Sequence, residues 1–179
     1  FDVGPVGSVA VAPSDPSMIY VGTGSACIRG NVSTGRGMYR SMDGGETWTF
    51  IGLPEAGQIG DIQIHPKNPE LVYIAALGHP FGKNDQRGVY RSTDGGTTWT
   101  ERDGLTDLDS ASEWSFPPRP HTHHVRWLEP APRRAGAETD GASGVDRWYV
   151  AVEAGALVRT HDGGAAWLDR VPDGPLDTH

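Results

Sequence analysis

The segment His121-Thr122-His123-His124 gathers the side chains best suited to chemistry in this chain. On an extended strand His121 and His123 face one side and His124 the other. Two imidazoles on one side begin a metal site, with His179 and an oxygen from Glu153 or Asp177 as further ligands. The same rings serve equally as hydrogen-bonded packing residues or as general ligand contacts. Cys27 stands two residues from Arg29, a cation that favours a thiolate; a small buried residue is the other reading of it. Trp114, Phe116 and Phe81 offer faces for a sugar or a peptide, or packing for a long loop. Asp61, Asp85, Glu153 and Asp177 are the carboxylates that hydrolysis of a glycosidic bond would call on.

These residues are positioned by a repeat. Ser41-Met42-Asp43-Gly44-Gly45-Glu46-Thr47-Trp48 recurs as Ser92-Thr93-Asp94-Gly95-Gly96-Thr97-Thr98-Trp99 and, weakened, as Thr160-His161-Asp162-Gly163-Gly164-Ala165-Ala166-Trp167. Asp-Gly-Gly is turn chemistry, because Gly takes positive φ without steric cost and Asp bonds nearby backbone amides. The Trp opens the return strand. Aligning the three octapeptides aligns Tyr20 with Tyr73 and Tyr149, and Arg40 with Arg91 and Arg159. Recurrence at one repeat position marks those arginines as structural.

Each unit reads as four short strands. The first is expected near 6–12, 18–23, 37–41 and 47–51, the second near 59–65, 71–76, 88–92 and 98–102, and the third near 123–130, 147–153, 156–160 and 166–170. Repeated four-stranded units of this length predict an all-β chain of antiparallel β-propeller blades. The blades fall at about 4–53, 57–103 and 121–171, with the start of a further blade at 175–179. Residues 133–146 lack periodicity and read as a surface loop. Propellers close with about 4–8 blades, so three make an incomplete propeller. The remaining blades come from a longer chain or from a second copy.

The octapeptides resemble the Asp-box, or BNR repeat, through Ser41, Asp43, Gly45 and Trp48, Ser92, Asp94, Gly96 and Trp99, and Thr160, Asp162, Gly164 and Trp167. The resemblance implies a structural staple joining the third and fourth strands of a blade. Asp2-Val3-Gly4-Pro5-Val6-Gly7-Ser8-Val9-Ala10, the run Ala26–Ser33 and Ala75-Ala76-Leu77-Gly78-His79-Pro80-Phe81-Gly82 are similar to bacterial sortilin-like, VPS10-like or BNR glycosyl-hydrolase-like proteins. Residues 113–179 resemble a related group of bacterial BNR proteins, carried by Trp114–Trp127 and Glu153–Arg159. By analogy with related propellers, ligands bind on the face opposite the boxes. That face takes the loops 24–36 and 78–87 and the segment entering the third blade. The ligand-binding candidates are therefore Arg29, Asn31, His79, Phe81, Arg87, Trp114, His121, His123, His124, Arg126 and Glu153; no metal is expected beyond the weak set His121, His123 and His179.

Gly 25 and Pro 14 in 179 residues suit a turn-rich all-β chain. A formal charge of −8 argues against nucleic-acid binding. Cys27 is the one cysteine, so no intrachain disulfide forms, and no apolar run approaches the ~20 residues that cross a bilayer. No cofactor is implied. With no recognised catalytic set, the reading leans away from an enzyme, towards a propeller that binds a glycan, peptide or protein partner and is secreted, periplasmic or on a bacterial cell surface. A glycoside hydrolase, sialidase-like or another BNR glycosidase, is the alternative, although the Arg-Ile-Pro motif of sialidases is absent. An assembly or accessory subunit is a third, since Asp-box propellers also resemble photosystem assembly factors.

Overall fold

The computed structural model describes residues 4–27, 30–116, 119–120, 124–131, 147–153 and 156–169. The first blade is an antiparallel sheet of β1 (Val6–Ala12), β2 (Asp15–Thr23), β3 (Met38–Ser41) and β4 (Thr49–Phe50), hydrogen-bonded in that order. The second repeats it with β5 (Ile59–His65), β6 (Asn68–Ala76), β7 (Gly88–Ser92) and β8 (Thr100–Glu101). Two 3₁₀ turns, Leu105–Asp107 and Asp109–Glu113, and a small pair of strands, β9 (Ser115–Phe116) and β10 (Arg119–Pro120), lead towards the third blade. Its strands are β11 (His124–Pro130), β12 (Trp148–Glu153) and β13 (Leu157–Thr160).

The third blade departs from the four-stranded expectation. Among the described residues its outermost strand is one bridge, in which Arg159 and Leu168 exchange backbone hydrogen bonds of 3.1 and 2.8 Å. The next residue, Asp169, turns its carboxylate to the backbone and hydroxyl of Ser110. That contact ties the chain to the preceding 3₁₀ turn. The paired strands β2 and β6 also begin three residues earlier than the apolar pattern suggested, at Asp15 and Asn68, because the tight turns before them pair Ala12 with Asp15 and His65 with Asn68. The next-blade segment 175–179 and the loop 133–146 lie outside the described residues.

The core lies between blades rather than within one. The alternation of side chains along a strand gives each sheet two apolar faces, and neighbouring sheets close on them face to face. One cluster joins Met18, Tyr20 and Met38 of the first blade to Ile59, Ile62, Val72 and Ile74 of the second. The other joins Leu71, Tyr73 and Val89 of the second to Val125, Leu128, Val150 and Val158 of the third.

The repeated octapeptide forms the same turn three times. Gly44 and Gly45 take φ of 74° and 98°, and their counterparts in the other turns are equally left-handed, a region where a Cβ would strain the backbone. The Ser41 hydroxyl donates to Asp43 Oδ1 at 2.7 Å and accepts the Gly45 N–H at 2.8 Å. Asp43 accepts the Thr47 N–H at 2.9 Å and the Thr47 hydroxyl at 2.5 Å. Ser92, Asp94, Gly96 and Thr98 reproduce every one of these bonds. In the third turn Thr160 replaces the serine without loss, its hydroxyl bonding Asp162 at 2.7 Å and Gly164 N–H at 3.0 Å. Ala166 keeps the backbone bond to Asp162 at 2.9 Å but has no hydroxyl to offer it.

The bonds set the acidity of the carboxyls. Thr47 side-chain and backbone donors, with Ser41, hold Asp43 at about 2. The Thr98 backbone and hydroxyl, with Ser92, hold Asp94 at about 2. Burial works against ionisation of Asp162, yet donors from Thr160, Ala166 and Ala165 leave it below the ordinary carboxylate range. Hydrogen bonds to the charged form are the cause in each case.

Candidate functional site

The octapeptide turns occupy one edge of the blades, and the long loops occupy the other. At that second edge Gly24 N–H donates to Pro5 O at 2.7 Å and Leu77 N–H to Gln58 O at 2.9 Å. The loops that leave β2 and β6 therefore start beside the first residues of β1 and β5. In the third blade Glu153, the last residue of β12, pairs with His124, the first of β11. The same rim receives the link between the first two blades, since Gly35 N–H donates to Gly57 O at 2.7 Å.

The loop 78–87 is held by one side chain. Arg87 Nε donates to Leu77 O at 2.8 Å, and its Nη2 donates to His79 O at 2.7 Å and Gly82 O at 3.0 Å. A planar fork with fixed donors suits three converging carbonyls in a way a lysine does not. Burial pulls the Arg87 pKa down from its ordinary value. The same loop grips the inter-blade link, because Asn84 Nδ2 donates to Glu55 O at 2.7 Å and Gln86 Oε1 accepts the Glu55 N–H at 2.8 Å. Among the side chains it presents to solvent are His79 and Phe81. Both are exposed; their rings meet edge-on at 6.4 Å, and His79 Nδ1 accepts the Phe81 N–H at 3.3 Å. Asn31 and Asp85 are exposed on the same loops.

Arg126 ties the third blade to the first. Its Nη2 donates to Ala26 O at 3.3 Å, and its guanidinium lies 6.0 Å from the centre of the Trp127 ring. It sits at the irregularity between Val125 and Trp127, the position that Gly7 and Gly60 hold in β1 and β5. A Cβ on Gly60 would come within 2.7 Å of the Arg126 carbonyl, so the second blade needs glycine there for the third to approach. The Ala26–Cys27 stretch that Arg126 reaches carries an exposed thiol.

The structure thus brings Asn31, His79, Phe81, Arg87, Arg126 and Glu153 to one rim and separates other candidates from it. Trp114 is buried in the second inter-blade core, so its ring is packing surface. His124 is fully buried at the start of β11, which removes it from a solvent-facing ligand set. Asp61, one of the sequence's carboxylates, accepts the Leu128 N–H at 3.1 Å and its neighbour Ile62 N–H at 2.8 Å; it staples β5 to β11. Arg29, His121, His123 and His179 lie outside the described residues. Among the described residues no group of three or more His, Cys, Asp or Glu stands close enough to hold a metal ion. No helix among them is long and apolar enough to cross a membrane.

No family model matches the chain. A xyloglucanase from Hypocrea jecorina is 28% identical over 109 residues, covering 56% of this chain and 12% of the relative. A xyloglucanase from Paenibacillus sp is 25% identical over 189 residues, covering 97% of this chain and 17% of the relative. The chain therefore spans less than a fifth of the length of these curated relatives. Among solved structures, the GH74 xyloglucanase of Xanthomonas campestris superimposes with a TM-score of 0.62 over 95% of this chain and 24% of its own, at 18% identity. The GH74 enzyme of Niastella koreensis gives 0.59 over 94% and 23%, also at 18% identity.

The chain is a set of β-propeller blades, the fold it shares with those structures. The expectation of a non-catalytic binding propeller is corrected by these findings: both sequence relatives are xyloglucanases, which favours the hydrolase alternative. A complete catalytic set is not expected within a chain that aligns with less than a fifth of each relative's length.

Proposed function

We propose that this chain forms part of a glycoside hydrolase that cleaves a neutral β-glucan polysaccharide of the xyloglucan type. The observation that carries the reading is the alignment of a xyloglucanase along 97% of the chain. The rim opposite the repeated turns supplies the binding surface, with the His79–Phe81 pair as its exposed aromatic platform. Glycosidic cleavage needs two carboxyl groups flanking the scissile bond. Asp61 is spent on backbone amides, which leaves Asp85 and Glu153 as the rim carboxylates to test.

The charge and the arginines favour a neutral glycan over a sialoside. A formal charge of −8 repels an anionic sugar. A sialidase holds the substrate carboxylate with arginines, whereas Arg87 is committed to three carbonyls and Arg126 to Ala26. The octapeptides are read as Asp-boxes whose role is to set the turns. A polymeric glycan is met outside the cell, so we place the protein in a secreted or cell-surface setting.

The test measures new reducing ends from xyloglucan with the wild-type protein, Asp85→Asn, Glu153→Gln and Phe81→Ala. The reading expects release by the wild type, a loss of at least tenfold in one carboxylate variant, and a raised KM in Phe81→Ala. Equal rates in all four proteins, or no release, argue against it.

A further inference from the structure

The backbone of His79 is held from two sides. The loop that carries it belongs to the second blade, which packs on the first through one apolar cluster and on the third through another. Its root rests on the link before β5. Leu77 N–H donates to Gln58 O at 2.9 Å, and a Cβ on Gly57 would stand 3.3 Å from the Gly78 carbonyl carbon and from His79 N. From the other side Arg87 Nη2 donates to His79 O at 2.7 Å.

The side chain of His79 is fixed as well. Its Nδ1 accepts the Phe81 N–H at 3.3 Å, across the buried Pro80. The bond spans two residues, as in the turns that aspartate and asparagine side chains close, and Pro80 holds its own φ near −65°. This has a chemical consequence. A ring nitrogen that accepts a hydrogen bond carries no proton, so the neutral imidazole keeps its proton on Nε2. The loop thus sets the tautomer of an exposed histidine, and its own turn uses the nitrogen that is not the donor.

Phe81 stands beside that donor. Its side chain is 43% exposed, and the two rings meet at 72° with centroids 6.4 Å apart. A β-linked glucose residue has an apolar C–H face that stacks on an aromatic ring and hydroxyl oxygens around its edge that accept hydrogen bonds. A neutral imidazole donates to such an oxygen without a charge having to leave water. We infer that His79 Nε2 donates a hydrogen bond to a hydroxyl of a glucose residue stacked on Phe81. This role rests on the proposed glycan-binding function of the rim and goes one step further, by dividing the work of the pair. Phe81 supplies contact area, and His79 reads the position of a hydroxyl.

The test separates the two ring nitrogens. His79→Asn places Oδ1 where Nδ1 stands, which retains the turn to Phe81, and offers nothing at the position of Nε2. His79→Gln carries an amide N–H out towards the position of Nε2 and gives up the short acceptor. Binding of a short xyloglucan oligosaccharide is measured by calorimetry, and cleavage within 78–87 by limited proteolysis. His79→Asn should bind about fivefold more weakly, the loss of one neutral hydrogen bond, while its loop is cut at the wild-type rate. His79→Gln should recover part of the affinity although its loop is cut faster. Wild-type affinity in His79→Asn overturns the inference. So does a weakened His79→Asn whose loop is cut faster, because the loss then comes from the turn. A wild-type chain that binds no oligosaccharide removes the glycan reading itself, and the donor role with it.

Discussion

Trp99 and Ile51 are joined across the first blade junction by a 2.7 Å hydrogen bond from the indole N–H to the Ile51 carbonyl. The tryptophan that closes one turn thereby satisfies a backbone group of the blade before it. Trp167 repeats the bond on Arg102, so the octapeptide couples a local turn to the contact between blades. Trp99→Phe keeps most of the ring packing and removes the donor, leaving the Ile51 carbonyl short of a partner. The expected cost is about 1 kcal/mol, read as a fall in Tm of about 2–4 °C for a chain of this size.

Asp43 and Asp94 make stability depend on acid pH. Both carboxyls are held at about 2 in the folded chain, below the ~3.9 of an unfolded aspartate. A depressed folded value contributes stability that is fully present above the unfolded value and is lost as pH falls through the folded one. Thermal stability should therefore drop between about pH 4 and pH 2. The double variant Asp43→Asn, Asp94→Asn should be less stable at neutral pH and lose less across that window. A wild-type Tm that is flat from pH 5 to pH 2 would show that the bonds do not hold.

The third turn is open to repair. Ala166 stands where Thr47 and Thr98 donate to the aspartate at 2.5 and 2.7 Å. Ala166→Thr supplies that hydroxyl to Asp162 at an exposed position. The expected gain is about 0.5 kcal/mol after solvent screening, seen as a small rise in denaturation midpoint with no change in the slope against denaturant. Thr98→Ala should make the opposite change.

Much of this architecture is legible in the sequence, and the reason is the repeat. Three Asp-Gly-Gly turns with aligned Tyr and Arg positions locate the strands and the two edges, because each is local turn chemistry or period-two alternation. What joins distant segments is not legible in that way. Asp61 reads as an acid at the rim, but its carboxylate holds the Leu128 amide, a partner on another blade. Trp114 reads as a loop aromatic, but tertiary packing buries it. Arg126 carried the one usable signal, since it replaces glycine at the position of Gly7 and Gly60. A long cation there, where two blades need no side chain, marks a contact reaching beyond the adjacent blade.

Arg87 predicts the behaviour of the 78–87 loop. Arg87→Met removes three donors from the Leu77, His79 and Gly82 carbonyls while keeping a stem of similar length. Limited proteolysis should then cut within 78–87 at least several-fold faster, with little change elsewhere. Arg87→Lys should rescue only part of the protection, because a point charge cannot meet all three carbonyls.

The hydrolase reading is tested most directly by incubating the protein with xyloglucan and with a sialoside side by side and measuring released reducing ends and released sialic acid. The account predicts new reducing ends from xyloglucan and no sialic acid. Release of sialic acid, or a xyloglucan chain length that does not change, would contradict it.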